Sequence, residues 1–89
     1  SKLSFYAVGW KAKTGQLTVV IENGGTFAGG ETSKVVSLVG NDGATGNSPF
    51  TITPADTDFY EYTMTGITAS TTIKFTSDKR AIIFGINIK

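Results

Sequence analysis

The stretch Gln16-Leu17-Thr18-Val19-Val20-Ile21-Glu22 decides the fold class. Successive side chains of a β-strand point to opposite faces, so Leu17, Val19 and Ile21 share one face and Thr18 and Val20 the other. A helix would need apolar residues at positions i, i+3, i+4 and i+7, and no window of about ten residues in the chain keeps that period. Working back, Leu3-Ser4-Phe5-Tyr6-Ala7-Val8 alternates in the same way, with Leu3, Phe5 and Ala7 together. Lys13-Thr14-Gly15 between the two runs predicts a hairpin turn. Working forward, Asn23-Gly24-Gly25 ends the second strand, because Asn and Gly tolerate positive φ. Residues 26–32 read as a Gly-rich loop.

The same reading carries to the end of the chain. Residues 33–39 predict a third strand, whose Val35-Val36 and Leu38-Val39 pairs break the alternation and predict burial on both sides. Residues 40–48 form a long polar loop. Phe50-Thr51-Ile52-Thr53 is a short strand capped by Pro54, and Pro54-Ala55-Asp56 suits a turn of 3₁₀ helix capped by Thr53. Residues 59–66 predict a strand with Tyr60, Tyr62 and Met64 on one side and Phe59 and Glu61 on the other. Residues 71–76 follow, with Ile73 and Phe75 on one face. After a turn at Ser77-Asp78-Lys79, residues 81–88 predict the last strand, with Ile82, Phe84, Ile86 and Ile88 on one face. About seven short strands at such spacing are the signature of an antiparallel two-sheet sandwich. The expected organisation is a single β-sandwich domain over residues 1–89.

Composition bounds the function. The chain has 89 residues, no Cys and no His, so no disulfide supports it and the usual zinc ligands are missing. A domain of this size buries only about 60–65% of its unfolded surface and is marginally stable. Eight basic residues against seven acidic ones leave a net charge of +1, without the basic patch that phosphate neutralisation on nucleic acid requires. No run of 18 apolar residues predicts a membrane span. The chain starts abruptly inside a strand and reads as a module or fragment of a longer protein.

Chemistry finds few footholds. Without His or Cys, neither a Ser–His–Asp nor a Cys–His nucleophile is available, and no phosphate-loop spacing occurs. Most of the carboxylates fall in turns, where they serve solubility. The loop Asn41-Asp42-Gly43-Ala44-Thr45-Gly46-Asn47 offers oxygen side chains near flexible Gly, yet lacks the acids and the terminal bidentate Glu of an EF-hand loop. The aromatics are more informative, because sugar rings present flat C–H faces that stack on aromatic rings. Trp10 falls on the face opposite Leu3 and Phe5, beside Tyr6 and Val8. Tyr6, Trp10 and Tyr60 are the stacking candidates, and Asn41, Asp42 and Asn47 the candidate hydrogen-bonding residues of a neighbouring loop. The competing reading is that each ring packs a core, Tyr62 above all.

Three groups of residues carry a resemblance. Leu3-Ser4-Phe5-x-Ala7-x-Gly9-Trp10 with Leu17-Thr18-Val19 resembles the early strands of jelly-roll accessory modules from secreted and surface proteins of Bacteroidetes-type bacteria. Phe59-Tyr60-Glu61-Tyr62-Thr63-Met64 resembles a later strand of these modules. Thr72-Ile73-Lys74-Phe75 with Lys79-Arg80-Ala81-Ile82-Ile83-Phe84-Gly85-Ile86 resembles their closing pair. The resemblance covers most of the chain and rests on packing patterns. It implies a jelly-roll-like sandwich, a carbohydrate-binding or adhesin-type role, and an extracellular or cell-surface location. Many such modules hold a structural calcium through an acidic pair in the last strand; Phe84 and Gly85 stand there in this chain.

The expectation is therefore a non-catalytic module without cofactor or resident metal, with a glycan as ligand. The alternative is a structural spacer or packing domain beside a catalytic domain, and a third reading is a piece of an enzyme whose active site lies elsewhere. The first and last strands also predict open edges, so self-association through an edge, or completion by a neighbouring domain, is a further expectation.

Overall fold

The computed structural model describes residues 1–11, 14–41 and 56–89. It is an all-β sandwich, with eight strands among the described residues: β1 (Lys2–Trp10), β2 (Gly15–Glu22), β3 (Thr26–Phe27), β4 (Ser33–Leu38), β5 (Gly40–Asn41), β6 (Phe59–Thr65), β7 (Thr72–Ser77) and β8 (Ala81–Ile88), with a 3₁₀ turn at Asp56–Asp58 just before β6. One sheet runs β3-β6-β1, with β8 on the other side of β1 and β5 in parallel beside its last residues. The second sheet is β4-β2-β7. All pairings are antiparallel except that of β1 with β5.

Most of the core comes from residues whose alternation is legible in the sequence. Leu3, Phe5 and Ala7 of β1 and Leu17, Val19 and Ile21 of β2 are almost wholly buried and face one another between the sheets. Phe5 is the hub: Tyr60 stacks on it at 5.4 Å and Phe75 meets it edge-on at 5.2 Å. Offset and edge-on contacts suit the quadrupoles of aromatic rings.

Several sequence expectations change. β1 and β2 form no hairpin; they lie in different sheets, because the edges of β1 are taken by β6, β5 and β8 and those of β2 by β4 and β7. β4 is buried on one face only. Val36 and Leu38 enter the core, whereas Val35 and Val39 are 59% and 55% exposed, since β4 is an edge strand with no layer outside it. Within the expected loop at residues 26–32, Thr26 and Phe27 pair with Thr65 and Met64, and Phe27 is buried. Gly40 and Asn41, expected in a loop, pair with Gly9 and Trp10. The strand expected at residues 50–53 lies outside the described residues. Asn23, Gly24 and Gly25 do adopt positive φ in succession, at 62°, 119° and 93°.

The last strand departs most. Its register with β1 shifts between Ser4↔Asn87 and Tyr6↔Phe84, so Phe5 opposes both Gly85 and Ile86. Gly85 takes φ 64° there, the left-handed conformation that opens a G1-type bulge and favours Gly. The extra residue reverses the facing of all that follows. Ile82 and Phe84 point outward, whereas Ala81 and Ile83 pack on the core and Ile88 opposes the inward-facing Leu3. The four residues expected on one face are thus split two and two.

Candidate functional site

The outer face of the β6-β1-β8 sheet can be read row by row from its register. Lys2, Ser4, Tyr6, Val8 and Trp10 of β1 point away from the core. Across from them stand Thr63, Glu61 and Phe59 on β6, and Asn87, Phe84 and Ile82 on β8. One row is polar, Glu61–Ser4–Asn87. The next is aromatic, Phe59–Tyr6–Phe84. Two residues of strand, about 7 Å, separate them.

The aromatic row is a continuous ridge over three strands. Tyr6 lies 5.1 Å from Phe59 and 5.4 Å from Phe84, and its ring is within 12° of parallel with that of Phe84. Parallel rings this close overlap as an offset stack. The bulge creates the room: a Cβ on Gly85 would stand 3.2 Å from Cδ1 of Tyr6, so the ring occupies the space a side chain would have filled. Phe59 is 41% exposed, and Tyr6 and Phe84 are half-buried. Val8, in the next row, is fully buried, so the ridge borders a covered part of the face. In the polar row, Lys2 Nζ is 3.8 Å from Glu61 Oε1, and both groups are largely exposed.

Trp10 sits at the far end of β1 on this outer face, as its position in the alternation predicts. Its backbone N–H donates to Arg80 O at 3.0 Å, and the Arg80 guanidinium lies 5.1 Å from the ring centroid. One face of the indole is therefore occupied by a cation. Asn41 pairs with Trp10 in β5 and is half-buried, so it stands beside the indole as a polar neighbour. Tyr60 is placed between the sheets, stacked on Phe5, with its hydroxyl donating to Ser37 O at 3.4 Å. Its ring is half-buried and packs against the core. Burial and then the charge of Asp58 raise the Tyr60 phenol above its ordinary value, and burial and then Tyr60 raise that of Tyr62. Asp42 and Asn47 lie outside the described residues.

The structure therefore brings Tyr6 together with Phe59 and Phe84, which the sequence reading did not single out. Alternation separates Phe59 from Tyr60 and Tyr62, but its register against Tyr6 needs the strand pairing. Phe84 was hidden by the bulge, for which a Gly inside a strand was the signal. Among the described residues, no cavity opens beside these groups, and no three acidic side chains come together as a metal site. Comparison with family models, with curated proteins and with solved structures gives no match.

Proposed function

We propose that the chain is a non-catalytic module that binds carbohydrate on the outer face of its five-stranded sheet, as part of an extracellular or cell-surface protein. The observation that carries this reading is the Phe59–Tyr6–Phe84 ridge standing beside the Glu61–Ser4–Asn87 row. A sugar needs both an apolar surface for its C–H faces and hydrogen-bonding groups for its hydroxyls. Here a carboxylate, a hydroxyl and an amide are laid out one per strand next to three rings. A sugar ring seated over Ser4 sets a C–H face against Tyr6 and turns hydroxyls toward Glu61 and Asn87. The surface is open, which suits an extended ligand better than catalysis, where water must be excluded.

A glycan array with the intact protein and Tyr6→Ala tests the reading. Selective binding that weakens at least about tenfold, or roughly 1.4 kcal/mol, in a Tyr6→Ala variant of unchanged circular dichroism supports it. Trp10→Ala is expected to cost less, since Arg80 already covers that ring. The structural-spacer reading has one observation in its favour, the complete burial of Val8 on the same outer face. A blank array from a folded protein decides for it.

A further inference from the structure

One flank of the sandwich is unfinished among the described residues. β4 lies over β6, with Ser37 O accepting from the Tyr60 hydroxyl and Lys34 over the Tyr62 ring, so β7, at the other end of the β4-β2-β7 sheet, and β8 are the last described strands of their respective sheets on the same side. Their inward residues do not reach the burial of those on β1 and β2. Ile73, Phe75, Ala81 and Ile83 are only partly buried. Ile88 opposes the fully buried Leu3 yet is 51% exposed. Ile86, on the Ile88 side by alternation back through Asn87, is 54% exposed. These side chains lie on the core side of the sheet and still meet water.

Among the described residues, no strand pairs with the backbone of β8 along the same flank. Trp10 N–H donates to Arg80 O, and Lys2 and Lys89 exchange both of their backbone bonds. Alternation in an antiparallel ladder then turns the N–H and C=O groups of Ala81, Ile83 and Ile88 away from β1. The strand carries no charge over eight residues, Ala-Ile-Ile-Phe-Gly-Ile-Asn-Ile, whereas Lys79 and Arg80 precede it and Lys89 follows. Sheets normally blunt such an edge with charge, proline or a cover.

We infer that β8 is an acceptor edge for an extended segment of a partner polypeptide, apolar at alternate positions and acidic at its ends. Only a strand satisfies both deficits together: it pairs the free backbone groups and drops alternate side chains onto Ile83, Ile86 and Ile88. A helix would cover the apolar flank and leave the edge unpaired. Charge selects the partner. Antiparallel pairing of β8 with a second copy about its centre sets Arg80 against Lys89 of the other copy, and like charges directly opposite destabilise a pair. An acidic residue at each end of the incoming strand answers the same cations. The Gly85 bulge makes Ala81–Phe84 the regular part of the edge, so pairing is strongest there.

The probe is an eight-residue peptide of alternating Ile and Thr with two Glu at each end, set against the same peptide with Lys ends. Binding is followed by amide chemical shifts and hydrogen exchange on the intact chain. The Glu peptide is expected to slow exchange at Ala81, Ile83 and Ile88 and to bind at least tenfold more tightly than the Lys peptide. Ile86→Lys, at an exposed position, is expected to abolish that binding, and Ile88→Lys checks the same point at the other side of Asn87. No binding of either peptide, equal binding of both, or a dimer of the chain alone protected at β8 overturns the inference. The acceptor uses the backbone edge and the inward side chains of β8, whereas its outward Phe84 and Asn87 belong to the sugar-binding face, so a failed glycan array leaves it standing.

Discussion

Gly85 shows how one residue sets two surfaces. Its φ of 64° costs a residue with a Cβ about 1–2 kcal/mol, and the Tyr6 ring leaves that Cβ too little space. Gly85→Ala is therefore expected to lower the unfolding free energy by at least that amount, read from the urea midpoint, and to weaken any ligand of the aromatic ridge by displacing Tyr6. Tyr60 and Tyr62 give a pH signature at the same scale. Their phenols are raised above 10.0 in the folded protein, so the folded state holds these protons more firmly than the unfolded chain. The associated stability is fully present below pH 10 and is lost as pH rises through the folded values. Urea midpoints are expected to fall above pH 10, and Tyr60→Phe with Tyr62→Phe to flatten that fall. The residue types at these positions were legible in the sequence, since alternation alone put Tyr60 and Tyr62 on one face. The cause of the shift is not, because burial of the two rings, the larger cause, comes only with the tertiary fold.

At the scale of elements, an apolar run without strict alternation discloses β4, and alternation discloses β1, β2, β6, β7 and β8, because each carries at least one face of packed apolar residues. It could not disclose β3 or β5, each two residues long, since two residues hold no period. Nor did it give partners: a hairpin reading of residues 13–15 is local, whereas the pairing of β2 with β4 and β7 is decided by which faces must be buried together. The turn between β7 and β8 illustrates the non-local support. Asp78 Oδ1 accepts from the Gln16 N–H at 2.8 Å, and Asp78 N–H donates to Gln16 O at 3.2 Å. The carboxylate thus pins the crossing between the sheets to the start of β2. Asp78→Ala is expected to cost about 1 kcal/mol, measured by denaturant unfolding, and to speed hydrogen exchange first in β7 and β8. More generally, β1 and β2, paired along both edges, are expected to exchange slowest and β4, β7 and β8 faster.

The whole molecule is long and thin, 40 × 22 × 21 Å with a radius of gyration of 13.7 Å. A compact chain of this length would have about 12 Å. Two layers of three long strands each leave little interior, so a few side chains carry most of the packing. Phe5→Ala is expected to cost about 3–5 kcal/mol, a large part of the roughly 5–15 kcal/mol that holds a small domain together, and to show as a collapse of the thermal transition in calorimetry. The pairing of β1 with β8 has a consequence in time as well. Leu3 meets Ile88 and Lys2 meets Lys89, so the central strand of the larger sheet waits for the chain's far end before its second edge closes. Loop closure over such separations is slow, and domains dominated by non-local pairing fold in milliseconds to seconds. During synthesis, β1 would emerge from the ribosome long before β8 does, and one of its two backbone edges would stay unpaired until nearly the last residue of this stretch had been added.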